Sequence, residues 1–286
     1  MYYYKFLRFP GGKAKAVTLS YDDGCVTDKR FSDIITPKGL KCTFNLTSTK
    51  RMDRLTKEEI QEYFLDRGHE IAVHGAFHRA EGSLRPIEGI REVLDCRLEL
   101  EERFGIIIRG MAYPDSGITQ MANGANYDSI KKYLTELDIA YARTLGNDNT
   151  SFALPEDWHA WMPSVHNTNP DVLEMIDKFL AIDISPKVYP ASRRPRLFYM
   201  WGHTYEFEND DSWDLLDKMT DKLANHEDIW YATNMEIYEY VNAYNSLIYS
   251  ADGQTVYNPT LFDIWFDTFD TTAHIHCIKP GETLKI

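Results

Sequence analysis

The feature that most constrains this chain is an alternation of short β-rich apolar runs with segments of helical spacing. Between the runs, apolar residues recur at steps of three and four, as one buried helix face requires. Strands are predicted at 16–21, 41–46, 70–74, 107–113, 139–144, 197–201 and 229–233. Alternating strands and helices are typical of a parallel α/β sheet, and seven strands are a barrel-like number.

Helix boundaries and faces follow from the same pattern. Thr56 and Glu59 form a capping-box signature and Gly68 a stop signal, which predicts a helix at about residues 57–67. The step pattern Ile90, Leu94 and Leu98 predicts the buried face of a later helix. The other predicted faces are Phe31/Ile34/Ile35, Ile130/Leu134/Leu137, Val172/Met175/Ile176/Phe179, Trp213/Leu216/Met219/Leu223 and Ile237/Tyr240/Val241/Tyr244.

Turn dipeptides divide the chain near residue 248. Asp252-Gly253, Asn258-Pro259 and Pro280-Gly281 separate β-branched runs at the C-terminal end. We therefore predict a barrel domain at residues 1–247 and a small β-rich appendage at 248–286. Because no low-complexity linker precedes the appendage, we expect it to pack on the barrel.

Composition excludes several classes of protein. The chain has 44 acidic against 31 basic residues, a net charge of −13, so it repels nucleic acid. It contains neither a run of 18 apolar residues nor an N-terminal apolar signal segment, so we expect a cytoplasmic protein without membrane contact.

Its 4 cysteines form no C-x-x-C pair, which predicts buried, reduced thiols. Nothing in the sequence specifies an oligomeric state.

Polar side chains of the kind that perform chemistry follow the predicted strands at their carboxyl ends. In parallel α/β barrels the active site is built on that rim, because side chains from several strands converge there. The residues in this position are Asp22, Asp23, His74, Tyr113, Arg143 and His203.

Asp22, Asp23 and Gly24 directly follow the first predicted strand. Adjacent side chains on a regular strand face opposite ways, so two aspartates can share a pocket only where the strand breaks, which Gly24 permits. Two close carboxylates then need a proton or a cation between them. The alternative is an ordinary Asp-Asp-Gly turn.

His74 and His78 lie four residues apart after another apolar strand. Two imidazoles and one carboxylate are the ligands of a catalytic metal site with open positions for water. Two unrelated histidines are the alternative. The aspartate pair lies at the end of the first predicted strand and the histidine pair at the end of the third. This joint placement at successive odd strand ends favours the metal site.

These residues resemble the polysaccharide deacetylases of carbohydrate esterase family 4, which share the NodB homology domain. The stretch Tyr21-Asp22-Asp23-Gly24 is similar to the family's T-F-D-D-G motif, and His74-x-x-x-His78 to its H-S/T-x-x-H motif. Trp201-Gly202-His203 is similar to its late histidine motif. The resemblance covers roughly residues 14–245 and implies a distorted (β/α) barrel of about seven parallel strands.

The resemblance also implies residue roles. Asp22 would be the general base and His203 the general acid, while Asp23, His74 and His78 would bind one divalent metal ion. Zinc is the first expectation for that ion, with cobalt, nickel or manganese as alternatives. Such an ion lowers the pKa of water from 15.7 toward ~7, so that an N-acetyl group can be attacked at neutral pH.

Two family motifs are altered in this chain. The third motif is usually R-x-P-Y, and Ala112 stands where its arginine would be. Arg143 is the predicted replacement, because a planar guanidinium can hold a carboxylate, although a surface position is the alternative. The aspartate-tryptophan motif is not clearly reproduced, but the aromatic stretch 156–166 lies in its interval.

Four side chains are predicted to contact the substrate: Tyr113, Trp161, His166 and Trp201. Aromatic faces commonly wall sugar sites. For Trp161 and His166 the alternative is a loop packed on top of the barrel. Glu206 could tune the pKa of His203, or it could be an ordinary acid at a helix start.

Together these observations predict a metal-dependent hydrolase of non-peptide C–N bonds that deacetylates an N-acetylated sugar or oligosaccharide. Two alternatives remain open at this point. One is a catalytically silent barrel that binds carbohydrate, which the missing motif arginine makes tenable. The other is an amidohydrolase that acts on a ureide or a cyclic imide with the same metal site.

Overall fold

The structure is a computed structural model that describes residues 4–48, 55–145, 149–184 and 190–286. The strands are β1 (Tyr4–Arg8), β2 (Lys15–Asp22), β3 (Cys42–Leu46), β4 (Glu70–Val73), β5 (Gly110–Ala112), β6 (Tyr141–Arg143), β7 (Val165–His166), β8 (Arg196–Gly202), β9 (Ile229–Tyr231), β10 (Ile248–Tyr249), β11 (Thr255–Tyr257), β12 (Ile264–Phe269), β13 (Ala273–Ile278) and β14 (Thr283–Lys285). The helices are α1 (Asp28–Ile35), α2 (Lys57–Tyr63), α3 (Pro86–Phe104), α4 (Tyr127–Glu136), α5 (Val172–Leu180), α6 (Thr204–Asn209), α7 (Trp213–Leu223) and α8 (Asn234–Asn245).

A curled parallel sheet forms the centre of the molecule. Its strand order is β6-β5-β4-β3-β2-β8-β7, and β9 pairs with β2. Along β2, residues Lys15 to Val17 pair with β9 and residues Leu19 to Asp22 with β3, while β8 occupies the other side. The predicted distorted barrel of about seven parallel strands is therefore confirmed.

All seven predicted strands are present, and one further strand of the parallel sheet was missed. The missed strand is β7, which has only two residues and follows a loop rich in aromatic residues. A segment of that length shows no alternation, so sequence periodicity could not reveal it. It matters because it brings His166 to the same edge as the other strand ends.

The predicted caps of α2 are confirmed. The Thr56 hydroxyl accepts from the Glu59 N–H, the Glu59 carboxylate accepts from the Thr56 N–H, and Gly68 ends the next turn with φ of 74°. The predicted face of α3 is wrong, because Leu98 is exposed whereas Val93, Cys96 and Leu100 are buried. The helix is rotated relative to the face that the apolar spacing predicted, so the carboxylate of Glu92 points into the protein.

The C-terminal β-rich region consists of two antiparallel three-stranded sheets, β1-β12-β13 and β10-β11-β14. The N-terminal strand β1, which the prediction assigned to the barrel, pairs with β12 from Tyr4 to Arg8. Buried Asp267 on β12 accepts hydrogen bonds from Arg8 and Arg193, and the Tyr240 hydroxyl of α8 donates to the main chain of Arg8. These contacts join β1 and β12 to α8 and to the segment that precedes β8.

Two further predictions concern cysteines and membranes. All four cysteines are free thiols, and Cys25, Cys42 and Cys96 are buried, as predicted, while Cys277 is partly exposed. Among the described residues, no helix combines the length and the apolar character that crossing a bilayer requires.

Buried His69 generates a prediction about stability. Its Nδ1 accepts from the Cys42 N–H at 3.2 Å and its Nε2 lies 2.9 Å from the Thr36 hydroxyl. Burial, with Arg67 and Lys41 nearby, lowers its pKa from 6.5 to about 4. Protonation therefore favours the unfolded chain as the pH falls below 6.5, and at pH 5 it removes roughly 2 kcal/mol from the free energy of unfolding.

The test is urea denaturation of metal-free protein at pH 7 and pH 5. In His69→Asn the loss of unfolding free energy between these pH values should be smaller than in the wild type by about that 2 kcal/mol. The variant His226→Asn, at a partly exposed histidine, is the control and should keep the full loss. Equal losses in the wild type and His69→Asn would contradict the prediction.

Candidate active site

The structure brings the ends of four strands of the sheet to one place. Asp22 ends β2, His74 follows β4, Arg143 ends β6 and His203 follows β8. One carboxylate oxygen, Oδ2 of Asp22, lies 2.5 Å from Arg143 Nη2, 3.8 Å from His74 Nε2 and 4.0 Å from His203 Nε2. Asp22 is therefore the centre of the site.

The Asp-Asp-Gly segment leaves the strand through a left-handed turn. Asp23 has φ of 80° and Gly24 has φ of 68°, both in a region that most side chains avoid. The Asp23 N–H still donates to the carbonyl of Asn45 on β3. This break turns the side chain of Asp23 toward the same side as that of Asp22, as the sequence predicted.

Asp22 is buried, with 1% of its surface exposed, and two side chains compensate its charge. Arg143, itself fully buried, holds Oδ2, and the Asn45 amide donates to Oδ1 at 2.8 Å. Burial acts to raise the pKa of Asp22, but Arg143 and the nearby imidazoles hold it below its usual value. The Arg143 guanidinium also lies over the Trp201 ring, 4.1 Å from its centroid.

Asn45 is a site residue that the sequence reasoning missed. It is buried in the apolar strand β3 and also donates to the Ser20 hydroxyl at 2.8 Å. A polar amide in an otherwise apolar strand, at the level where the neighbouring strand carries Asp22, was the available signal.

Asp23, His74 and His78, here called the Asp23 cluster, point their ligand atoms at one another. Asp23 Oδ1 lies 3.4 Å from His78 Nε2 and 3.8 Å from His74 Nε2. His74 Nδ1 lies 3.0 Å from the Ala112 carbonyl oxygen, which fixes its proton there. Its Nε2 is buried and has no hydrogen-bond partner among the described residues.

These features fit a divalent metal ion. Metal-bound histidines usually donate their second ring N–H to a carbonyl or carboxylate, as His74 does to Ala112. Burial lowers the pKa of His74, which favours the neutral imidazole that a metal requires. Two imidazoles and a carboxylate leave coordination positions open for water or substrate.

Glu92 of α3 holds the loop that carries His78. Its buried carboxylate accepts from the N–H groups of Phe77 and Arg79, at 2.6 and 3.0 Å, and from the Arg79 guanidinium. Gly75 has φ of 79° and leaves room for this carboxylate, because a Cβ there would lie 3.1 Å from Glu92 Oε1. This role explains why α3 buries Glu92 instead of the predicted face.

His203 lies between Asp22 and Glu206. Its Nδ1 is 3.2 Å from Glu206 Oε1, and its main-chain N–H donates to Glu206 Oε2 at 3.1 Å. Burial acts to lower the pKa of His203, but the hydrogen bond with Glu206 and the charge of Asp22 raise it above its usual value. The sequence-based hypothesis that Glu206 tunes His203 agrees with this contact.

The structure places two predicted substrate residues in the core instead of the pocket. Trp161 is 1% exposed and packs its ring on Tyr141, Trp158 and Tyr199. Tyr113 is fully buried, and its hydroxyl donates to the His159 carbonyl. Both are corrections, because the aromatic loop packs on β6 and its main chain accepts the hydrogen bond of the Tyr113 hydroxyl.

The other two predicted substrate residues lie at the site. His166 and Trp201 are partly exposed, and their rings meet edge to face at 4.4 Å. Trp201 covers Arg143 on one side, and His166 lies near His203, with ring centroids 6.1 Å apart. Together they form a partly open aromatic wall beside Asp22.

The chain matches the family model for polysaccharide deacetylase over residues 10–139. This stretch includes Asp22, Asp23, His74 and His78, whereas Arg143 and His203 lie beyond it. No curated protein matches the chain significantly.

Solved structures share the fold at low sequence identity. A Mycobacterium smegmatis protein described as a polysaccharide deacetylase is 19% identical, with a TM-score of 0.56 over 84% of this chain and 94% of that chain. The Xyl-CE4 domain of a multidomain xylanase from the hindgut metagenome of Trinervitermes trinervoides is 15% identical, with a TM-score of 0.53 over 81% of this chain and 92% of that chain. The predicted resemblance is therefore confirmed: residues 10–139 carry the sequence pattern of the polysaccharide deacetylase family, and the barrel has the fold of these two solved structures.

Proposed function

We propose that the protein is a metal-dependent hydrolase of a non-peptide C–N bond, and that it removes the acetyl group from an N-acetylated sugar or oligosaccharide. The observation that carries the proposal is the position of Asp22. It lies between a two-histidine, one-carboxylate cluster and a histidine that can donate a proton, and a guanidinium and an amide hold it in place.

The Asp23 cluster would hold the metal ion. Asp23 Oδ1, His74 Nε2 and His78 Nε2 are the ligand atoms, and zinc, cobalt, nickel or manganese are all compatible with this set. When bound, such an ion polarises an amide carbonyl and makes a water molecule acidic enough to attack it at neutral pH. The buried, unpartnered Nε2 of His74 supports this assignment.

Asp22 would accept the proton of the attacking water. Its Oδ2 faces the Asp23 cluster, 3.8 Å from His74 Nε2, and its lowered pKa keeps it ionised at neutral pH. Arg143 and Asn45 fix the orientation of the carboxylate, one at each oxygen. Arg143 would thus supply the cation that Ala112 does not.

His203 would donate a proton to the departing amine. Its Nε2 faces the reacting centre while Nδ1 is held by Glu206, so the ring orientation is fixed. The raised pKa of His203 keeps a larger fraction protonated near neutral pH, as a general acid requires. Trp201 and His166 would contact the sugar ring, since aromatic faces suit its apolar C–H surface.

The Arg143–Asp22 ion pair bears on one of the two alternative functions and not on the other. The silent carbohydrate-binding barrel was tenable because the motif arginine is absent, and the Arg143–Asp22 ion pair weakens that reason. The ureide or cyclic imide hydrolase uses the same site residues, so it is separated by the choice of substrate.

Metal content tests the Asp23 cluster. Wild-type protein purified without chelator and passed over a desalting column should retain about one divalent ion per chain, measured by ICP-MS, because the ligands are held ready for it. His74→Ala/His78→Ala should lose it. The control His226→Ala/His274→Ala removes two histidines outside the site and should retain the metal. Equal metal content in both double variants would show that the ligands are wrong.

Turnover tests the function. Wild-type protein should release acetate from N-acetylglucosamine oligomers, and Asp22→Asn should reduce kcat by about 10²- to 10⁴-fold while it keeps the metal. Ureides and cyclic imides are assayed beside the oligomers. Turnover of these compounds alone would replace the proposed substrate class. If metal-loaded wild-type protein bound the N-acetylglucosamine oligomers but did not hydrolyse them, the result would support the silent carbohydrate-binding barrel.

Arg143→Lys tests the orientation of Asp22. Lysine keeps the positive charge but not the planar guanidinium, so a misplaced carboxylate should reduce kcat by about 100-fold with unchanged metal content. Arg109→Lys, which alters the Arg109–Asp138 pair away from the site, is the matched control and should keep kcat. A kcat of Arg143→Lys equal to that of the control would refute the positioning role.

A further inference from the structure

A second group of ligand-type side chains lies on the other side of Asp22. His166, His203 and Glu206, here called the Glu206 cluster, direct two ring nitrogens at one carboxylate oxygen. Glu206 Oε1 lies 3.2 Å from His203 Nδ1 and 3.7 Å from His166 Nε2. One ligand atom from each residue lies within 4.8 Å of the others.

The two separations to Glu206 Oε1 are close to those of a coordination sphere. In a tetrahedral site with zinc–nitrogen and zinc–oxygen bonds of about 2.0–2.2 Å, neighbouring ligand atoms lie about 3.3–3.5 Å apart. The Asp23 cluster has comparable separations of 3.4 and 3.8 Å. At 3.7 Å, His166 Nε2 and Glu206 Oε1 are too far apart for a hydrogen bond. An ion bound between them would give each of these two atoms a partner.

Each ligand of the Glu206 cluster is held by a contact that leaves its binding atom available. Glu206 Oε2 accepts from the His203 main-chain N–H, which leaves Oε1 facing the two rings. His166 Nδ1 lies 2.8 Å from the Thr168 hydroxyl and 3.3 Å from the Thr168 main-chain N–H, which donates to it. Binding of an ion at Nε2 therefore requires the other tautomer, in which Nδ1–H donates to the Thr168 hydroxyl and the main-chain bond is given up. His203 turns its second nitrogen, Nε2, toward Asp22, whose Oδ2 lies 4.0 Å away.

Charge and access agree with a metal ion as the ligand. The side chains of His166, His203 and Glu206 are 22%, 19% and 20% exposed, so an ion could reach the cluster from solvent. Burial lowers the pKa of His166, which favours its neutral form. The chain's net charge of −13 attracts cations in general.

We propose that His166, His203 and Glu206 form a second metal site, separate from the Asp23 cluster, for a zinc-type divalent ion with nitrogen and oxygen ligands. It binds more weakly than the Asp23 cluster, because His203 must lose a proton that Glu206 and Asp22 stabilise. None of the three segments that match family motifs, 21–24, 74–78 and 201–203, includes His166 or Glu206.

Occupation of the second site has a consequence for catalysis, which rests on the proposed function. An ion on His203 Nδ1 replaces the proton that makes the ring an imidazolium. The remaining Nε2–H is a much weaker acid, so the departing amine would go unprotonated. Excess zinc should therefore inhibit the enzyme, while the binding itself does not depend on any activity.

The binding test uses equilibrium dialysis against 1 to 100 µM free Zn²⁺, a range chosen as roughly that of weak protein zinc sites, with ICP-MS of the retained protein. Wild type should reach two ions per chain, and His166→Gln and Glu206→Gln one. His74→Ala/His78→Ala should also reach one, held by the Glu206 cluster alone. The exposed His274→Gln variant is the control and should reach two. Circular dichroism confirms that each variant is folded.

Two results would overturn the proposal: a single ion on the wild type across this range, or two ions on both His166→Gln and Glu206→Gln. Retention of one ion by His74→Ala/His78→Ala would support it even if no substrate were hydrolysed, so failure of the proposed function is distinguishable. With an active enzyme, kcat scaled to each protein's own maximum should fall at high zinc in wild type and His274→Gln. It should fall less in His166→Gln.

Discussion

The buried ion pair between Arg143 and Asp22 is the interaction on which the rest of the site depends. Both side chains are almost completely removed from water, so neither charge could be buried without the other. The pair joins the end of β6 to the end of β2, across the three strands between them in the sheet. The ring of Trp201 and the amide of Asn45 complete the surroundings of the two charges.

The fold positions the other site residues through the same carboxyl edge. Left-handed turns at Asp23 and at the loop of Gly75 and His78 take the chain out of the regular strands and direct ligands inward. Glu92 stabilises the second of these loops from a neighbouring helix. Asp22 consequently faces two clusters of ligand-type atoms, with His74 on one side and His203 on the other.

Several parts of this arrangement could be predicted from the sequence. The strand ends carrying Asp22, His74, Arg143 and His203 followed from apolar runs, because parallel strands in a barrel present their carboxyl ends on one rim. Asn45 and Glu92 were not predicted, although each is a polar residue in a buried element. Trp161 and Tyr113 were predicted at the pocket because aromatic residues in a loop do not reveal which side of a sheet they cover.

The sequence by itself determined the element types, the parallel barrel and the two motifs that place aspartates and histidines at the ends of two strands, because periodicity and turn chemistry are local properties of the chain. The tertiary structure alone decided that Arg143 pairs with Asp22. It also decided that α3 turns Glu92 inward and that β1 pairs with β12 instead of joining the barrel. These outcomes depend on contacts between residues far apart in the chain, where the cost of burying a charge without a partner selects one packing over another.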